Sequence, residues 1–133
     1  MSPEAWIIGL HLFTVHAGPL TDPGAHRALP TPGIYAVAPS GLTFGGYRNS
    51  LSGTPLYPGE RYSAYAGWTW RTGAAIGPAS DITITAGAVT GYVRQISPLV
   101  GVGARLGTGE LATRVLWVPH RTQPLSLSLE RRF

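Results

Sequence analysis

A chain of 133 residues with 18 Gly, 12 Pro and only 12% charged side chains is long enough for one hydrophobic core and too short for two, and its turn-rich make-up points to short strands. The absence of Cys excludes a disulfide framework, thiol chemistry and thiolate-bound zinc. Ten basic side chains, all Arg, stand against six acids, a formal charge of +4 that suits oxyanion contacts, yet only Arg131 and Arg132 are adjacent, so a modestly basic surface is expected and no nucleic-acid partner.

Extended segments are expected at about 5–17, 33–38, 42–50, 61–71, 81–92, 98–104, 111–119 and 125–132. Ahead of the first, Met1-Ser2-Pro3-Glu4 carries no positive n-region, and the apolar run from Trp6 is interrupted by His11 and His16. Neither a secretory signal nor a spanning helix is expected, which favours host cytoplasm or a virion over an outer membrane. The Pro-rich, aperiodic stretch 18–32 reads as a functional or disordered loop.

Alternation is plain further along. Tyr62, Ala64, Ala66, Trp68 and Trp70 oppose Ser63, Gly67, Thr69 and Arg71, and Ile82, Ile84, Ala86 and Ala88 oppose Thr83, Thr85 and Gly87. Glycines such as Gly67 and Gly87 within these runs permit bends and close backbone approach. The last run, Leu125 to Phe133, alternates almost without error, and a final strand needs an early one to cover its edge. The expected fold is therefore all-β: one domain over 1–133, a single closed antiparallel up-and-down barrel of about eight strands. A two-residue period does not say which face points inward, because a membrane barrel turns the apolar face to lipid and a soluble one turns it to the core.

For chemistry, the chain contains no P-loop, dinucleotide fingerprint, nucleophile elbow or HExxH helix. His11, His16, His26 and His120 lack the spacing of a ligand motif, and nothing brings Glu4 and Glu60 together as an acid and base pair. No cofactor and no metal are expected.

One order of landmarks stands out: Ile8 to Ala17, then Gly46-Tyr47-Arg48-Asn49-Ser50, then Tyr65-Ala66-Gly67-Trp68-Thr69-Trp70, Ala86 to Thr90, Pro98-Leu99-Val100 and Leu129 to Phe133. It resembles the lipid A palmitoyltransferase family of Gram-negative outer membranes, an eight-stranded antiparallel barrel. The resemblance implies a catalytic His at His16 and places the family's Asp-Ser pair on Asn49 and Ser50, with an acyl chain passing from a phospholipid to an acceptor hydroxyl or amine. A hydroxyl nucleophile needs a base and a developing oxyanion needs a donor, which His, Ser and a polar neighbour can supply. Asn49 departs from the family's Asp: an amide orients or donates but does not stabilise an imidazolium by charge. The chain also lacks the family's amphipathic amino-terminal helix, and Arg131 stands where a closing strand in an outer membrane usually presents an apolar side chain. The Tyr-Arg-Asn-Ser string is similar too to small barrels of tailed-phage genomes.

Plainer roles stand beside these. His16 would end a strand, Asn49 and Ser50 would shape the turn toward Gly53, and Trp68 and Trp70 would pack or form an interfacial belt. Tyr47, Arg48 and Trp68 are the candidate ligand-binding residues, Arg48 for a phosphate. Two functions stay open: an acyltransferase-like barrel that acts on or binds a lipid acyl chain, or a descendant without the activity, and a non-catalytic virion or host-interaction barrel, or a carrier of a small apolar ligand. The partners would be a lipid or apolar ligand in the first case, proteins of a virion or host complex in the second, with membrane association open.

Overall fold

The computed structural model describes residues 5–18, 27–49, 52, 58–91, 95–119 and 123–133. It holds eight strands: β1 Ile7–His16, β2 Ala28–Val37, β3 Leu42–Arg48, β4 Tyr62–Arg71, β5 Ala79–Thr90, β6 Ile96–Leu106, β7 Leu111–Trp117 and β8 Pro124–Arg132. Each pairs antiparallel with its sequence neighbour, and β8 pairs with β1, so the sheet closes into an eight-stranded barrel. The expected all-β fold, a closed antiparallel up-and-down barrel, is borne out. Closure runs from Ile7 opposite Arg132 to His16 opposite Pro124, and the Phe133 amide donates to the Trp6 carbonyl at 2.8 Å. The register shifts between His11 and Phe13 on both sides of β1: against β8 the extra residue is Leu12, whereas against β2 it lies on β2, whose Thr31 and Pro32 stand across from Leu12 alone.

The two rims differ. Turns 38–41, 72–78 and 107–110 lie at the rim that also carries the start of β1 and the end of β8, the terminal rim. The ends of β1, β3, β5 and β7 and the starts of β2, β4, β6 and β8 lie at the other, the loop rim.

Strand β2 departs from its expected span, since it begins at Ala28 inside the stretch read as loop. Pro30 and Pro32 explain both the misreading and the structure. Pairing with β3 begins only at Gly33, so residues 28–32 are laddered to β1 alone, an edge setting that tolerates a residue without an N–H. Pro98 has the same setting in β6, which starts at Ile96 and meets β7 only from Val102.

The burial pattern decides which face points inward. Thr83 is fully buried while its neighbour Ile84 is 43% exposed, and Glu130 is 1% exposed beside Leu129 at 36%. Leu10, Ile34, Phe44, Trp68, Trp70, Val100, Val102 and Leu127 all face outward, whereas Thr31, Thr43, Ser63, Thr69, Thr85 and Ser128 are buried. The barrel is therefore apolar outside and polar inside. An apolar patch of Ile7, Tyr35 and Val37, with Tyr65 against it, is the small hydrophobic cluster of the interior.

Two glycine sites make this interior possible. Gly9 lies against the Tyr35 ring, which a Cβ would strike. Gly67 and Gly87 are opposite each other in the β4–β5 register, and a Cβ on either would run into the other strand's backbone at Ala86 or Ala66.

Candidate functional site

The charged side chains of the interior gather toward the terminal rim. Glu130 continues the inward face of Ser126 and Ser128 on β8, Arg114 that of Ala112 on β7, and Arg105 that of Gly101 and Gly103 on β6, by the two-residue period of each strand. The Glu130 carboxylate accepts from Arg114 Nε at 2.7 Å and Nη2 at 2.9 Å, from the Tyr35 hydroxyl at 2.6 Å and from Arg105 Nε at 3.3 Å. Arg114 thus grips both carboxylate oxygens with its planar fork, and its Nη1 donates to Thr83 Oγ1 at 2.7 Å. Arg105 also donates to the carbonyls of Gly107 and Gly109 in the β6–β7 turn. One buried carboxylate on β8 thus ties β2, β6 and β7 directly, and β5 through Arg114. An eight-stranded barrel has an interior that side chains fill, and here much of the filling is ionic.

Next to it, Arg71 Nε donates to Asp81 Oδ2 at 3.1 Å, and Asp81 Oδ1 accepts from the Gly73 amide at 3.1 Å. A hydroxyl ladder crosses β3, β4 and β5 at the same level. Thr43 gives its proton to the Gly41 carbonyl, so Thr69 must donate to Thr43, at 2.7 Å, and Thr85 to Thr69, at 2.9 Å.

Above the ion pairs the interior is uncharged and aromatic. A hydrogen bond of 2.7 Å joins His11 Nε2 to the Tyr65 hydroxyl, and one of 3.2 Å joins its Nδ1 to Ser128 Oγ. The imidazole packs against three tyrosine rings, Tyr35, Tyr47 and Tyr65, with centroids 4.9 to 5.7 Å away. Ser128, His11 and Tyr65 form a hydroxyl-imidazole-hydroxyl chain of the type that can relay a proton. Ser128 is only 4% exposed, so the arrangement serves packing inside the wall.

At the loop rim, the residues expected to be catalytic are placed as follows. His16 is the last residue of β1, and its carbonyl accepts from Arg27 Nη1 at 2.7 Å. Asn49 follows β3 and is fully buried. Its Nδ2 donates to Ser63 Oγ at 2.8 Å and to the Gly91 carbonyl at 2.9 Å, which engages both amide protons and ties the end of β3 to β4 and to the β5–β6 connection. Ser50 lies outside the described residues. Ser52 completes this latch: its hydroxyl donates to the Arg61 carbonyl and accepts from the Arg61 amide, both at 2.8 Å.

The candidate ligand-binding residues do not share one side of the wall. Tyr47 faces the interior, against His11 and Tyr65. Arg48 and Trp68 are on the outer face of β3 and β4, where Arg48 lies 3.8 Å from Glu60 and Trp68 Nε1 donates to the Ser40 carbonyl at 3.1 Å.

The charged centre was not singled out from the sequence. Its signal was present: in a chain this poor in charge, an acid or Arg that continues the small, polar face of a strand belongs inside. No protein-family model matches the chain, and no curated protein matches it.

Proposed function

We propose that the chain is a membrane-embedded barrel whose outer wall contacts lipid acyl chains. The observation that carries this reading is the inversion of the barrel, with Glu130, Arg105 and Arg114 buried inside while leucines, isoleucines and tryptophans cover the outside. In water such a wall would expose a continuous apolar belt; in a bilayer it meets lipid, and closure gives each strand a partner on both sides over the shared wall, with residues 28–32 of β2 and 96–101 of β6 extending beyond it toward the loop rim. Aromatic side chains fall at both borders of the belt: Trp6, Trp68, Trp70 and Phe133 at the terminal rim, Tyr62 and Trp117 at the loop rim, with aliphatic residues such as Leu10, Ile84 and Leu127 between. That distribution suits the two interfaces of a bilayer. Arg131, which lies over the Phe133 ring at 5.1 Å, suits the headgroup level. The reading departs from the cytoplasmic or virion setting expected from the sequence, and it places a lipid chain outside the wall rather than within it, since the interior offers hydroxyls and ion pairs to an apolar ligand.

The test is partition. Folded barrel added to phosphatidylcholine vesicles should float with them, and Ile84→Arg, a charge placed in mid-wall, should weaken insertion by about 2–4 kcal/mol. A monodisperse detergent-free species that stays out of vesicles, with Ile84→Arg having no effect, would overturn the reading.

Acyl transfer at the loop rim is a second reading, favoured by the placement of His16 and Asn49 where two strands end at the same rim. There His16 would take the proton of Ser50 and Asn49 would hold the loop, its amide protons being engaged with Ser63 and Gly91. Ser50→Ala and His16→Ala should each abolish release of fatty acid from phospholipid with the fold intact; unchanged turnover in either removes that residue from the mechanism.

A further inference from the structure

Among the described residues, four guanidinium groups and two carboxylates gather at the terminal rim: Arg105, Arg114, Asp81 and Glu130 are buried, and Arg71 and Arg132 are partly exposed at the barrel mouth. Arg114 and Arg105 are held by Glu130, and Arg71 by Asp81. Arg132 enters none of the ion pairs among the described residues, and its Nε is shut off from solvent with no hydrogen-bond partner. Arg71 and Arg105 repel it, and Glu130 and Asp81, which attract it, are already engaged. A buried guanidinium donor without an acceptor is costly, and an excess of positive charge at a barrel mouth is a field that draws an anion.

Room for one lies alongside. A cavity of about 210 Å³ opens at this rim, lined by Ile7, Val37, Gly41, Thr69, Trp70 and Arg71 among others. Arg71 belongs to the cavity lining, and Arg132, which does not line it, is the β8 residue directly opposite the lining residue Ile7. Trp70, on the outward face of β4, brings the cavity to the border of the apolar belt.

We propose that the terminal rim binds a phosphate group, with Arg71 of the cavity lining and Arg132, reaching over from beside Ile7, contacting its oxygens. Guanidinium groups suit the paired oxygens of phosphate, and Arg132 gains the acceptor it lacks. The phosphate could come free from solution or as the headgroup of an anionic lipid. Binding of free phosphate does not depend on the membrane reading, whereas the headgroup source rests on it.

The experiment uses the full chain folded in neutral detergent micelles, with the thermal midpoint and Trp emission followed. Sodium phosphate is compared with sodium chloride at matched ionic strength and pH, and micelles doped with phosphatidic acid with undoped ones. At a tenfold excess over Kd the bound form should melt about 4 °C higher than the chloride control. A rise with inorganic phosphate assigns the free anion, and a rise with phosphatidic acid alone assigns the headgroup. Arg132→Gln should abolish the rise while leaving the midpoint in chloride the same or higher, because it removes an unpaired cation; Arg131→Gln, on the outer face, should keep it. If Arg132→Gln does not fold, Arg71→Gln makes the same test. No rise with either probe, a rise that survives Arg132→Gln, or a rise lost equally in Arg131→Gln, which would mark diffuse rim charge, overturns the proposal. Since no vesicle insertion is needed, its failure is distinguishable from failure of the membrane reading.

Discussion

The terminal half and the loop half of the barrel interior solve one problem in two ways. Toward the terminal rim charged groups from β6 and β7 converge on Glu130 of β8, joined by the Tyr35 hydroxyl of β2, with a threonine ladder beside them. Toward the loop rim neutral groups pair locally, Thr14 with Thr31, His11 with Tyr65 and Ser128, Asn49 with Ser63 and Gly91, and the half-buried Arg61 guanidinium donates to the same Gly91 carbonyl. The difference teaches where the fold is least forgiving. A buried charge that loses its partner costs far more than a neutral group that loses one hydrogen bond, so the terminal half should act as the rigid end and the loop half as the adaptable one.

The largest effect should come from Glu130→Ala, which leaves Arg105 and Arg114 buried without their carboxylate. It should cost about 3–5 kcal/mol in denaturant unfolding of the folded barrel. A cost below about 1 kcal/mol, the range of exposed pairs, would erase the contrast between the two halves. Next, Tyr35→Phe removes the 2.6 Å donor to the same carboxylate and should cost about 1.5–3 kcal/mol, the range of a hydrogen bond to a charged group.

In the neutral half the expected costs are smaller. Asn49→Ala should lose about 1–2 kcal/mol and speed proteolysis of the loops it ties, read by timed digestion of folded protein. The smallest effect is expected outside the wall, where Arg131→Gln breaks a 3.9 Å contact with Glu110 between two exposed side chains and should fall within about 0.5 kcal/mol.

Much of this was legible along the chain. The alternation of Tyr62 to Arg71 and of Ile82 to Ala88 marks strands because a pleated backbone sends neighbours to opposite faces, and the same rule makes Leu125 to Phe133 a closing strand. Pro30, Pro32 and Pro98 obscured the ends of β2 and β6, since tolerance for a missing N–H depends on whether the adjacent strand is still present, a fact of the sheet and not of the segment. At the candidate site, Asn49 was recognisable as a polar residue at a strand end. Its partners Ser63 and Gly91, from β4 and the β5–β6 connection, were not.

The sequence by itself determined a two-residue period and the turns that punctuate it, because these follow from backbone sterics within a few residues. Only the tertiary structure decided that the apolar faces turn outward, because an alternating strand looks the same whichever way the sheet curls. It also brought Glu130 to Tyr35, Arg105 and Arg114, residues 95, 25 and 16 positions away, since a buried charge finds its counter-charge only once register across the closed wall is set.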